Sequence, residues 1–305
     1  MSLPLTLLNT WLRWTEKPFL ANATSATALR RSFDLKSRLF FHAPLGTQRT
    51  RTTLAGADAL EVRKTDAGAD HTILYFHGGA HVFGSPRTHA AMLSALVKRT
   101  GGVAVLPRYP LAPEHPFPAA IDHCVACYRA LLNGGQDPAR LTVGGDSAGG
   151  NLAFAVLATL LAEGDPLPAG VFGLSPLMDL TFSGPSHVAN ADSDVVLPAH
   201  RIKDTAAGYL AGHAADDPRA SPLFADLTGA PPVWLTVGDT EILTDDSTRL
   251  AERLRAQSVP VDLTVARDRP HVWTLFHNLL PEAHETLDQL AGWITAQTGV
   301  NAPTR

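Results

Sequence analysis

"LTVGGDSAGGNLAFAVLATLL", residues 141–161, sets an apolar run directly against a long helix-forming run, with a short glycine-rich turn between them. A chain that passes from strand to helix this abruptly must turn sharply. Gly145-Asp146-Ser147-Ala148-Gly149 fits G-x-S-x-G, a turn that holds its serine in a strained backbone conformation. Only hydrogen side chains two positions to either side avoid collision there, which gives Gly145 and Gly149 a mechanical purpose. Ser147 is expected to stand clear of the sheet, near a helix N-terminus whose N–H groups and dipole favour developing negative charge. An inert glycine-rich loop is the rival reading; the strand before and the helix after are the context the motif needs.

Outward from this turn, short apolar runs alternate with helix-like segments. From residue 70 they read "TILYF", 87–100, "VAVLP", 118–133, "RLTVGG", 148–163 and "GVFGLS". After an interval come "PVWLTVG", a helix over 243–257, "VDLTVA" and a last helix over 283–297. Strands that are apolar throughout, alternating with helices, predict an α/β fold: a mostly parallel sheet covered on both faces. Two regions break the rhythm. Residues 1–45 read as helical, and 180–220 place a loop and a helix where a strand is due. Both are expected to form a helical cap over a catalytic domain of residues 46–179 and 221–305, without a linker or repeat.

"YFHGGAHVFG", residues 75–84, leaves a buried strand and continues as nearly bare backbone. A tetrahedral oxyanion needs two or three N–H donors, and backbone supplies them only where no side chain intervenes. Gly78 and Gly79 are expected to give two donors and Ala148 the third. His77 reads either as a brace for this loop or as an ordinary core histidine, and His81 as a pocket or rim residue.

The 305 residues are 45% hydrophobic and 18% charged, enough to bury a large core. A net charge of −4 without a Lys/Arg cluster gives no footprint for nucleic acid. No apolar stretch reaches the roughly 20 residues of a membrane span. "MSLPLTLLNTWLRW" lacks a basic start and a cleavage site, so it reads as mature protein: an amphipathic helix packing on the body through Leu5, Leu8, Trp11 and Leu12, with no membrane attachment expected. Cys124 and Cys127 have C-x-x-C spacing but fall within a helix, and no second pair completes a zinc site; they read as small apolar residues. These features point to a reducing cytoplasm. No metal or organic cofactor is expected.

Five further matches in order resemble the hormone-sensitive lipase-like family of α/β-hydrolases, in particular its bacterial esterases. They are "HGGAHVFGSP", "YPLAPEHPFPAA", "DPRASPL", "VGDTEILTDDS" and "PHVW", beside "GGDSAGGNLA" at the nucleophile. Ala80 stands where the family's H-G-G-G segment ends in glycine, His81 where an aromatic is usual, and His-Val-Trp where His-Gly-Phe is usual. The resemblance implies an acid and a histidine on loops after later strands. The loop after "PVWLTVG" offers Asp239, Glu241, Asp245 and Asp246. Register with the family's D-P-L-x-D pattern selects Glu241, with Asp239 as runner-up and Asp245 and Asp246 as helix caps. His271 follows the last strand-like run through a turn at Pro270 and precedes the final helix, which makes it the expected base rather than His277 or His284.

The implied activity is a carboxylesterase for small-molecule esters of short to medium acyl chain, with water as second substrate and Ser147, Glu241 and His271 as triad. Rival readings are an amidase or acyltransferase with the same triad, a lipase acting at lipid surfaces, and a noncatalytic binding protein on the same fold. A homodimer through the sheet edge stays open. Glu114 is expected to pin the proline-rich loop, and Trp11, Trp14 and Phe19 to cover the pocket or pack in the core.

Overall fold

The computed structural model describes residues 2–23, 25–65, 68 and 70–299. Two helices lead, α1 (Leu3–Asn22) and α2 (Ala26–Phe40), each with a serine N-cap whose side chain accepts a backbone N–H. A hairpin follows, β1 (Thr47–Leu54) and β2 (Ala57–Lys64). Then come β3 (Thr72–Phe76), α3 (Pro86–Thr100), β4 (Val103–Pro107), α4 (Ala119–Asn133), β5 (Leu141–Asp146), α5 (Ala148–Glu163) and β6 (Gly170–Leu174). A four-residue helix α6 (Ser186–Ala189) and α7 (Ala199–Leu210) precede β7 (Val233–Gly238), α8 (Thr244–Ala256), β8 (Val261–Ala266) and α9 (Pro281–Thr298).

The eight strands form one sheet in the order β1-β2-β4-β3-β5-β6-β7-β8. From β4 to β8 all pairs are parallel; β2 meets β4 antiparallel and β1 meets β2 antiparallel. The strands β3 to β7 are buried from end to end, which is why each reads as an unbroken apolar run. The β1–β2 hairpin is the element that the reading from residue 70 onward does not contain. Its turn is Ala55-Gly56, both at positive φ (50° and 77°), as a two-residue hairpin requires. Because β1 is exposed at all but its two end residues, nothing in "TQRTRTTL" carries a core-facing period.

One core lies between the sheet and α4, α5 and α8, and a second between the sheet and α3 and α9. Leu5, Leu8 and Leu12 of α1 form a third with Val195, Trp273 and Leu280. The two segments outside the alternation also bond to each other. Arg13 donates to Asp192 O at 2.7 Å, Lys17 Nζ to Ala191 O at 2.7 Å and Asp194 O at 2.6 Å, and Arg201 to Ala23 O at 3.3 Å.

Asp245 and Asp246 lie in the first turn of α8, but the N-cap is Leu243 and neither side chain caps the helix. Asp245 accepts from Ser186 N–H, and Asp246 accepts from Met178 and Asp179 N–H at 2.6 and 3.0 Å. Asp245 thus ties α8 to the start of α6, and Asp246 ties it to the loop after β6. Cys124 and Cys127 are buried free thiols on α4, and burial raises both pKa values, that of Cys127 to about 12.

Candidate active site

The turn between β5 and α5 is strained at one residue. Ser147 has φ 52° and ψ −121°, a conformation that L-residues avoid. Its N–H donates to Leu174 O at 3.0 Å and its carbonyl accepts from Leu177 N–H at 3.1 Å, so the neighbouring strand end holds the turn. A Cβ on Gly145 would come within 2.3 Å of the Gly149 backbone, and one on Gly149 within 2.0 Å of Phe76 O. Both glycines are therefore required by close backbone approach, as their positions in the motif predict.

The loop after β3 packs against Asp146. This carboxylate is buried and accepts from Tyr75 Oη at 2.8 Å, Gly78 N–H at 2.9 Å and His89 Nε2 at 3.2 Å. Burial works against its charge, but the His89 charge and these hydrogen bonds win, and its pKa is lowered. The Gly78 N–H is thus already used, which corrects its expected place among the oxyanion donors. Gly78 is glycine for another reason: a Cβ there would lie 2.2 Å from Asp146 Oδ2. Gly79, at φ 118°, has no room for a side chain beside Phe83 O. Among the described residues the N–H groups of Gly79, Ala80 and Ala148 donate to no other backbone or side-chain group. Ala80 stands at φ 53°, in the left-handed region, and its free amide follows directly on that of Gly79.

His77 braces this loop. Its Nδ1 donates to Gly78 O at 2.8 Å, Tyr109 Oη donates to His77 O at 2.6 Å, and its ring stacks on Tyr109 at 4.3 Å. Burial, aided by the His89 charge, lowers its pKa to about 3, so it stays neutral. His81 is buried, stacks on Tyr209 at 3.8 Å and donates to Asn151 Oδ1 at 3.2 Å. Burial lowers its pKa to about 3 as well. Glu114 does pin the proline-rich loop, through a two-pronged pair with Arg30 of α2 at 2.8 and 2.6 Å. The same guanidinium donates to Val82 O and Ala112 O, so one side chain joins α2 to both loops.

Beyond β7 the chain brings Glu241, not Asp239, to His271. Glu241 Oε2 accepts from His271 Nδ1 at 2.6 Å; Oε1 accepts from Ser175 Oγ at 2.7 Å and Gly238 N–H at 2.6 Å. Asp239 is exposed and accepts from Asp268 N–H at 2.7 Å, which closes the turn after β8. Burial opposes the His271 imidazolium, but the hydrogen bond and charge of Glu241 outweigh it, and the pKa is raised. Two supporting residues escape the sequence reading. Ser175 donates to Glu241 and accepts from Val272 N–H at 3.3 Å. Asp194 is buried and accepts from Ile242, Val196 and Leu197 N–H groups; burial and the Glu241 charge raise its pKa. Neither sits in a motif, and only the serine's place at a strand end could have flagged it.

Ser147 and His271 face one cavity of about 180 Å³, roofed by residues of α1, α2 and α7. They share no hydrogen bond, as is common before a substrate tightens such contacts. Trp11 lines the cavity; Trp14 stands on the surface, and Phe19 lies under Lys36, 4.2 Å from its ammonium. His277 is buried and bonds to His42 O, while His284 meets Arg99; neither approaches Ser147.

A parallel sheet whose strained serine turn feeds a helix, with a carboxylate-bound histidine after the last strand, defines an α/β-hydrolase. The family model for the alpha/beta hydrolase fold matches residues 73–275. The chain belongs to that family, and within it to the bacterial hormone-sensitive lipase-like group. It is 39% identical over 228 residues to an acetyl-hydrolase of Streptomyces hygroscopicus, covering 75% of this chain and 76% of the relative. It is 37% identical over 270 residues to an esterase of Acinetobacter venetianus, covering 88% of each. Among solved structures, EstE5 soaked with ethyl alcohol superposes with a TM-score of 0.93 at 36% identity, covering 98% of this chain and 100% of that one. An esterase described as belonging to the bacterial hormone-sensitive lipase family gives 0.92 at 37%, covering 98% and 99%.

Proposed function

We propose that this chain is a serine carboxylesterase that works through a covalent acyl-enzyme. The observation that carries the reading is the 2.6 Å bond from His271 Nδ1 to Glu241, with Ser147 facing the same cavity from its strained turn. The Nδ1 bond leaves Nε2 as the basic nitrogen. Ser147 Oγ attacks the ester carbonyl as His271 Nε2 takes its proton, and Glu241 stabilises the imidazolium. The oxyanion meets the N–H groups of Gly79, Ala80 and Ala148. Collapse expels the alcohol with the proton from His271; water then attacks the acyl-enzyme by the same route, releasing the acid and restoring Ser147. No step calls for a metal or organic cofactor.

Residues 1–45 and 180–220 act as the cap of this site, the rest of the chain as the catalytic domain. A cavity of about 180 Å³ is small beside the roughly 300 Å³ at which ligand pockets begin, which favours short to medium acyl chains. The named relatives, an acetyl-hydrolase and an esterase, support the same choice. Buried free thiols suit a reducing cytoplasm.

The test is hydrolysis of p-nitrophenyl esters of increasing acyl length by the native chain and by Ser147→Ala. Turnover of the short esters, lost by several orders of magnitude in the variant, is the expected result. Equal inactivity of both would favour a noncatalytic binding protein.

A further inference from the structure

Among the described residues eleven large apolar side chains stand exposed, and eight of them fall between Leu3 and Leu45. Helix α1 has two apolar sides. Leu5, Leu8 and Leu12 pack on the body, while Leu3, Leu7, Trp11 and Trp14, spaced four, four and three residues apart, share the outer side. Leu7 is 61% and Trp14 75% exposed. On α2, Leu35 and Leu39 stand out beside Arg31 and Arg38. The Trp11 and Phe40 rings touch at 5.4 Å and join the two helices into one surface. Those same two rings line the cavity over Ser147, so the apolar surface runs to the mouth of the site.

The charge of this surface indicates what covers it. Of the cations in residues 3–40, Arg13 and Lys17 bond to carbonyls of residues 191–194, Arg30 pairs with Glu114 and Lys36 with Glu16, which leaves Arg31 and Arg38 to set the charge of the outer face. Arg31 and Arg38 are exposed and, among the described residues, make no ion pair. A second copy seated face to face would set these like charges against each other. An anionic lipid surface would instead attract them, while leucine and tryptophan side chains suit the boundary between headgroups and acyl chains.

We propose that the outer face of α1 and α2 seats the protein on an anionic lipid–water interface, with esters reaching Ser147 from the lipid side past Trp11 and Phe40. The seating stands on the exposed surface alone; the route of the ester rests on the esterase reading. It departs from the sequence-based expectation of no membrane contact, because the outer apolar side shows only once the inner one has been assigned to the core.

The experiment sediments the 305-residue Ser147→Ala chain, which spares the lipid, with phosphatidylcholine vesicles that contain or lack phosphatidylglycerol. Binding roughly tenfold stronger to the anionic vesicles, and weakened by high salt, is expected. Leu7→Ser/Leu39→Ser and Arg31→Glu/Arg38→Glu, made in the same background, should each bind roughly tenfold more weakly at unchanged melting temperature. With Ser147 restored, both double variants should hydrolyse p-nitrophenyl acetate at the native rate, since none of these four residues lines the cavity. The proposal is overturned if no vesicle retains the protein, if the double variants bind undiminished, or if light scattering finds a dimer that Leu7→Ser/Leu39→Ser dissolves. Failure of the esterase reading looks different: vesicle binding persists while the native chain leaves soluble esters intact.

Discussion

At the scale of single residues, His271 stands between opposing influences. Burial disfavours its charged form, and Glu241 at 2.6 Å favours it more strongly, so the pKa lies above the ordinary value of about 6.5. A base must be neutral to accept a proton. Esterase activity is therefore full above this raised pKa and lost as pH falls through it, and a kcat/KM profile should show its midpoint above about 6.5. Glu241→Gln removes the raising influence and the orienting contact together. It should cost about 10⁴-fold in kcat and shift the residual profile toward lower pH. Asp239→Asn should leave kcat within a few fold, because that carboxylate serves only the turn at Asp268. Ser147, His271 and the two glycines of the elbow were legible as residues because each answers a local need. Glu241 and Asp239 follow the same strand, and register with the family pattern, rather than any local physical rule, picked out Glu241; the path of the loop brings it to the imidazole.

At the scale of elements, the junction of β5 and α5 carries the strain. The strand and helix approach so closely that a Cβ on Gly149 would lie 2.0 Å from Phe76 O on the adjoining strand. Gly149→Ala must then push α5 away from β3. Overpacking of this kind costs about 3 kcal/mol or more, which denaturant unfolding would measure, and kcat should fall along with stability as Ser147 shifts. In the glycine-rich loop after β3 the elements alone do not decide which amides stay free. Its glycines were visible, but Gly78 spends its N–H on Asp146, while those of Gly79 and Ala80 stay free among the described residues. Which of two consecutive amides points into a cavity depends on the φ values of the loop, and Ala80 and His81 both take the left-handed region without being glycine. The exposed β1–β2 hairpin escaped for the opposite reason, since a strand with little buried surface leaves almost no apolar period to read.

At the scale of the whole molecule, buried carboxylates from distant parts of the chain hold the loops around the site. Asp246 joins α8 to the loop after β6, and burial, with Asp179 nearby, raises its pKa to about 8. In the unfolded chain the same group titrates near about 3.9. Between these values the folded state binds more protons than the unfolded one, so this group lowers stability progressively as pH rises from about 4 to about 8. Asp246→Asn keeps an acceptor for the two amides and removes the charge. Melting temperatures should be close to those of the native chain near pH 5 and higher than them near pH 9. A variant that melts lower at both pH values would show that the carboxylate is needed in its ionised form.

The amino-acid sequence by itself determined the alternation of buried strands and helices, the serine elbow and the place of His271 after the last strand. These follow from short-range facts: apolar runs long enough for strands buried on both faces, and glycines where backbone must approach backbone. The partner of His271 is Glu241, the residue that register with the family pattern selects; tertiary structure alone decided that Gly78 spends its amide on Asp146, the supports at Ser175 and Asp194, and which side of α1 meets the core. Each of these depends on groups far apart in the chain competing for the same donor, acceptor or surface, and that competition has an outcome only when the chain is folded.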